Sequence, residues 1–237
     1  MKSSLLAGAL LFSASLVFAQ GNDAALYQEG NNNAAEISQL TAFTSSASIS
    51  QVGNRNEAGV YQEEDTGPVE ASILQVGNNN TAGIDQSDFF TISSSASITQ
   101  VGNRNAAEIT QYGAIAASAN ILQVGNRNEA YINQGSGIGM SADITVVGNR
   151  NRTAINQTGN DLEADIVVVG NNNDAEINQD ADGADDSITI IGNGNTQVIN
   201  QFGSNSLDIT QIGDAASLNV TQTGQGNTIS VTTVINP

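Results

Sequence analysis

Gln39 follows Gln28 by eleven positions, and that interval occurs nine times along the chain. The first members of the pairs are Gln28, Gln51, Gln75, Gln100, Gln123, Val146, Val168, Ile190 and Gln211. The second members are Gln39, Gln62, Gln86, Gln111, Gln134, Gln157, Gln179, Gln201 and Gln222. The interval from one pair to the next drifts between 10 and 14 residues. One connection of constant length and one that tolerates insertion describe a two-sided coil, with a tight turn on one side and looser loops on the other. A repeat array of this kind has no single central core, so the 237 residues read as one elongated domain.

Residues on both sides of the tight turn alternate with period two. Ala96, Ile98 and Gln100 interleave with Ser97 and Thr99, and Ala107, Ile109 and Gln111 interleave with Glu108 and Thr110. Alternate residues of a strand share a face, so Ala, Ile and Gln are expected inside and Ser, Thr, Glu and Asn outside. The turn carries a glycine column (Gly30, Gly53, Gly77, Gly102, Gly125, Gly148, Gly170, Gly192 and Gly213). It also carries an asparagine column (Asn33, Asn56, Asn80, Asn105, Asn128, Asn151, Asn173 and Asn195). Glycine takes φ > 0 freely, and asparagine tolerates the left-handed region. A lone two-stranded unit cannot bury its inner face, so the partner is the next copy, stacked in parallel. The expected fold is all-β: a β-solenoid of about nine strand-turn-strand rungs in parallel register. Rungs start near residues 24, 47, 71, 96, 119, 142, 164, 186 and 207, with a partial rung at 227–235. At ~4.8 Å per rung the rod is about 43 Å long.

Glutamine is lost from the first column at Val146, Val168 and Ile190, which are consecutive copies. A block of losses is what vertical contact predicts. An unpaired buried amide costs about 1–3 kcal/mol, whereas replacing a whole run with apolar groups can be nearly neutral. The fifteen remaining glutamines form the expected self-assembly ladder.

Residues 1–19 have the pattern of a secretory signal peptide. Lys2 precedes an apolar run from Leu5 to Val17, and Val17-Phe18-Ala19 sets up cleavage before Gln20. The repeat domain is then 20–237. The formal charge of -18 disfavours nucleic acid as a partner, because polyphosphate needs Lys and Arg to displace its counterions. Nothing after the leader is apolar enough to insert in a membrane. With no His and no Cys, imidazole bases, thiol nucleophiles and zinc sites are absent. No carboxylate pair stands out, so neither catalytic residues nor a metal or cofactor are expected. The loops at 63–70, 87–95 (with Phe89 and Phe90) and 180–186 are the places left for a non-repetitive function. The run Asp180–Asp186 lacks calcium-loop spacing and reads as a solvated acidic loop. Arg55, Arg104, Arg127 and Arg150 share one turn position, occupied elsewhere by Asn32, Asn79, Asn172 and Gly194. Such a column could grip anions. The plainer expectation pairs Arg55 with Glu57 and Arg127 with Glu129, each pair worth about 0–1 kcal/mol.

The first copy begins at Ala24, four residues after the expected cleavage site, and the segment Thr223–Val231 starts a strand without completing a copy. No capping helix is expected at either end. A repeat that continues between molecules makes a heterologous, non-closing contact and therefore a filament, here with cross-β spacing.

The unit Gln51-Val-Gly-Asn-Arg-Asn-Glu-Ala-Gly-Val-Tyr-Gln62 resembles the curlin repeat of curli amyloid fibre subunits from bacterial biofilms. The family's second glycine survives here as Gly194 and is otherwise usually Asn or Arg. The resemblance covers residues 24–233. It implies a secreted homopolymer subunit of extracellular fibres at the cell surface, serving adhesion and aggregation. It also implies partners: a nucleator subunit, an outer-membrane secretion pore and periplasmic chaperones. Two other roles stay open at this point. One is the minor nucleator subunit; the other is a monomeric β-solenoid that binds ice or a surface, which would stay monomeric at high concentration.

Overall fold

The computed structural model describes residues 3–7, 13–18, 21–40, 44–63, 67–87 and 91–235. Among them there are strands and turns and no helix. Each copy runs along one strand, such as Ser118–Asn126, turns over Arg127 and Asn128, and returns along a second, Glu129–Gln134. The first strands of successive copies form one parallel sheet and the second strands form another, each in sequence order. The register is continuous from rung to rung. Ala119 sits beside Ala96 and Ala142, Ile121 beside Ile98 and Ile144, and Gly125 beside Gly102 and Gly148. This is the expected β-solenoid of about nine rungs. The partial rung is the strand Thr228–Val234, paired with Ser206–Ile212.

The two sheets face each other and their inner faces make the core. Alanine and isoleucine positions are buried along the rod, as at Ala47, Ile49, Ala130, Ile132, Ala164 and Ile166. A fully buried isoleucine stabilises by about 1.5–3 kcal/mol, and a column of them also locks the register, because a one-residue slip would expose every one. Outward positions carry Ser, Thr, Asn and acids, with scattered exposed apolar side chains such as Tyr61 and Leu122. Val146, Val168 and Ile190 stack in line, fully buried, as the block of substitutions required.

Above the first rung, Ser3–Ala7 pairs with Ala24–Gln28 and Ser13–Phe18 with Ala34–Gln39, both in parallel. An open parallel edge offers unpaired N–H and C=O groups to any extended segment, and here the N-terminal residues take them. The expected cleavage point at Ala19 and Gln20 lies outside the described residues, as do Glu64–Thr66, Phe89, Phe90 and Pro237.

The variable side is more ordered than loops of drifting length suggest. Ala114–Ile115 pairs with Gly137–Ile138, and Ile92 bridges to Ile115. Behind them a second small core stacks Ala114, Ala117, Met140, Leu162 and Ala184. The acidic run at 180–186 is only partly solvated: Asp180 and Asp182 are exposed, while Ala184 and Asp186 turn inward and are buried.

Candidate functional site

The glutamine columns form two hydrogen-bonded ladders inside the rod. In the first, the side-chain Nε2 of Gln28 donates to Oε1 of Gln51 (2.7 Å), Gln51 to Gln75 (2.8 Å), Gln75 to Gln100 (2.9 Å) and Gln100 to Gln123 (2.9 Å). In the second, Gln39, Gln62, Gln86, Gln111, Gln134 and Gln157 each donate to the next, ending on Gln179, at 2.7–3.0 Å. From Gln39 to Gln179 the second N–H of the amide crosses the interior to a backbone carbonyl. Gln123 donates to Ala106 O at 3.0 Å and Gln134 to Ser118 O at 2.9 Å. One donor along the axis, one across it and one acceptor are the inventory of a primary amide, and glutamine reaches both directions from a buried backbone. A fully satisfied buried network of this kind specifies one register.

The ladders have two interruptions. Where the first column becomes Val146, Gln123 Oε1 still accepts from Gln100, but its Nε2 keeps only the bond across the rung. Gln211, lower in that column, lies between Ile190 and Thr233 and donates to Asn195 Oδ1 at 2.6 Å, so it stands apart from the ladder. The second column breaks between Gln179 and Gln201. Asp186 occupies the column held by Ala142 and Ala164 above it, and its Oδ2 takes the Gln179 amide at 3.0 Å. Gln201 resumes with a 3.3 Å bond to Gln222, but its own Oε1 is buried without a partner among the described residues. Burial pushes the Asp186 carboxyl up to about 7, against the bond from Gln179, which lowers it. In the same rung Gln197 stands in the column of Ala175, and neither of its amide atoms has a partner among the described residues.

The turn columns explain each other. Asn105 Nδ2 donates to Gly125 O in the next rung (2.9 Å), and its Oδ1 accepts the backbone N–H of Asn128 (3.1 Å). The same pair of bonds recurs from Asn33 to Asn195. The turn glycines hold φ between +111 and +148 from Gly30 to Gly192, and Gly213 holds +121. A Cβ on Gly102 would meet the carbonyl oxygen of Gly125, and each turn glycine from Gly30 to Gly192 faces the next in the same way. The left-handed residue of the turn is not the buried asparagine. It is the residue before it: Asn32, Arg55, Asn79, Arg104, Arg127, Arg150, Asn172, Gly194 and, in the ninth turn, Ala215. The buried asparagine keeps ordinary φ because its amide is committed between rungs.

One further ladder lies outside the columns expected from the sequence. Asn31, Asn54, Asn78, Asn103, Asn126, Asn149, Asn171 and Asn193 stack on the exposed edge of the turn, each Nδ2 donating to the next Oδ1, and Asp214 closes the column. Its signal is the recurrence of asparagine one residue after every turn glycine, with Asp214 as the ninth. The expected pairs of Arg55 with Glu57 and Arg127 with Glu129 do not form. Among the described residues the one ion pair is Arg152 with Asp174 at 3.4 Å. Arg55 and Arg127 belong to the turn edge, while the acids belong to the second sheet. Among the described residues no cluster of acids is placed to hold a metal ion.

The amides that lack partners at the ends of the second ladder are complementary. Gln39 Oε1, at the top, is a buried acceptor without a donor, and Gln222 Nε2, at the bottom, is a buried donor without an acceptor, among the described residues.

Comparison with known proteins bears on the same repeats. The family model described as the curlin associated repeat matches residues 19–52, 117–146 and 148–180. No curated protein matches the chain.

Proposed function

We infer, from the premise that this chain belongs to the curlin-repeat family, that it is a structural subunit that stacks end to end into extracellular amyloid fibres. The observation that carries this reading is the pair of unmet amide groups at opposite ends of one ladder, Gln39 Oε1 and Gln222 Nε2. A second copy whose Asp23–Asn31 strand takes the place that Thr228–Val234 holds under Ser206–Ile212 puts its Gln39 acceptor against the Gln222 donor, one rung on. Each junction then satisfies two buried polar groups that would otherwise cost about 1–3 kcal/mol apiece. The contact is heterologous and does not close, so it propagates.

Residues 1–19 are a secretory leader in this reading, and its removal frees the edge above the first rung for the next subunit. The subunit works in the matrix around the cell, where it supports adhesion and aggregation. Its partners are copies of itself, a nucleating subunit, a secretion pore and periplasmic chaperones. It has no catalytic role, in keeping with a family and a fold that are structural.

The test is dilution of purified residues 20–237 out of denaturant, followed by thioflavin fluorescence, electron microscopy and fibre diffraction. Fibres with a ~4.7 Å reflection support the reading. A β-rich monomer that never polymerises overturns it. Gln222→Leu leaves an unpaired acceptor at every junction and slows fibre growth about tenfold, on the order of the 1–3 kcal/mol at stake. Glu63→Ala, on the variable side, leaves the growth rate near that of the parent chain.

A further inference from the structure

The exposed turn edge carries a groove of ≈1110 Å³ that runs along the rod across eight rungs. Its floor is the outer asparagine ladder, and along it stand Arg55, Arg104, Arg127 and Arg150. These are four of the six basic residues in a chain with 24 acids, and all four are exposed. None is in an ion pair among the described residues. All four hold φ between 56 and 59. That region suits asparagine far better than arginine, and Asn32, Asn79 and Asn172 make the same turn in other rungs. Backbone preference therefore works against arginine at four positions, which points to a use for the side chain.

We propose that this groove binds a linear acidic polysaccharide, a polymer bearing a carboxylate on its sugar units, laid along the rod axis. Arg104, Arg127 and Arg150 lie on consecutive rungs, ~4.8 Å apart, about the length of one pyranose residue. A guanidinium matches a carboxylate with two parallel N–H bonds. Between the arginines, each asparagine of the floor spends one N–H on the ladder and keeps a second, so the groove is rich in donors for carboxylate and hydroxyl oxygens. Single exposed contacts of this kind are weak. A polymer engages several at once, and the second and third contacts form at high effective concentration.

Nucleic acid fits this groove less well. No aromatic side chain lines it to stack a base, and the net charge of -18 opposes the dense charge of a phosphate backbone. Binding does not require fibre formation, because the groove is complete within one chain.

The test is co-sedimentation or surface-immobilised binding of the full chain, in whichever assembly state it adopts. The probes are polygalacturonate, its fully methyl-esterified form and an oligothymidylate. Polygalacturonate is retained, more weakly as salt rises, and the other two are not. The triple variant Arg104→Asn, Arg127→Asn, Arg150→Asn keeps the fold by circular dichroism, since asparagine already serves at this position. It loses at least about tenfold in affinity, equal to about 1.4 kcal/mol. Arg152→Asn, outside the groove, binds as the parent does. Retention of the esterified polymer at equal strength, tighter binding of the oligothymidylate, or unchanged binding by the triple variant would each overturn the proposal.

Discussion

Asp186→Ala raises the stability of the C-terminal rungs by about 3–4 kcal/mol above pH 7 and changes it little near pH 4. The carboxyl is buried in an alanine column, and burial lifts it from an ordinary 3.8 to about 7. Below pH ~4 the group is neutral in both the folded and the unfolded chain. Between there and pH ~7 the unfolded chain ionises while the folded chain does not, so the fold loses about 1.4 kcal/mol per pH unit. Above pH ~7 both forms are ionised and the loss levels off. Across that window the loss reaches about 4 kcal/mol at most. Alanine removes the titrating group and returns the column to the residue found at Ala142 and Ala164. It also frees the Gln179 amide to donate to Gln201, whose oxygen otherwise lacks a partner among the described residues. Urea midpoints at pH 4 and pH 8 measure the effect. An equal gain at both pH values would show that Asp186 titrates as an ordinary aspartate. Asp186→Asn keeps the shape, removes the charge and recovers most of the gain.

Gly125→Ala costs at least about 4 kcal/mol, among the larger effects a single substitution can have. Two causes combine. Its φ of +132 lies in a region that glycine alone adopts readily, and the new Cβ would run into the carbonyl oxygen of Gly148. That carbonyl is held in turn by the amide of Asn128 at 2.8 Å, so it cannot swing away without breaking a buried bond. Gly194→Ala is the contrast. Its Cβ meets nothing, its φ is +67, and Ala215 already takes the equivalent place one turn later at +58. It costs about 1–2 kcal/mol, the ordinary penalty for a left-handed alanine. Denaturant unfolding of the two variants side by side decides the matter. Equal costs would mean that the turns stack less closely than the bonds between Asn and Gly imply.

Much of this architecture is legible in the order of the residues. A fixed interval of eleven residues and strict alternation determine the two faces, and the face of Ala, Ile and Gln is the buried one. The apolar block at Val146, Val168 and Ile190 marks the register, because only neighbours in a stack have reason to change together. Other features are hidden for physical reasons. The left-handed turn position looks like an asparagine role, since asparagine favours that region. The actual residue is the one before the buried asparagine, and its identity varies because any side chain there points to solvent. The second core of Met140, Leu162 and Ala184 is masked by the drifting interval, which reads as loose loop. Asp186 groups by composition with its acidic neighbours, although its place in the alternation puts it inside. Gln211 matches the column in sequence, but a ladder needs an amide above or below, and Ile190 and Thr233 supply none.

The direction of the amide bonds has a consequence for the rod as a whole. In both glutamine columns and in the outer asparagine column, every side-chain N–H along the axis donates toward the higher-numbered rung. The dipoles of these side chains therefore add, and the rod is a vector with a chemically distinct head and tail. A molecule arriving upside down presents like groups to like, donor to donor or oxygen to oxygen. It could be accepted only by rotating an amide against a column already committed the other way. Growth by stacking would keep one orientation over the whole length of a fibre, and the two tips would differ in the chemistry they offer and in the rates at which they lengthen.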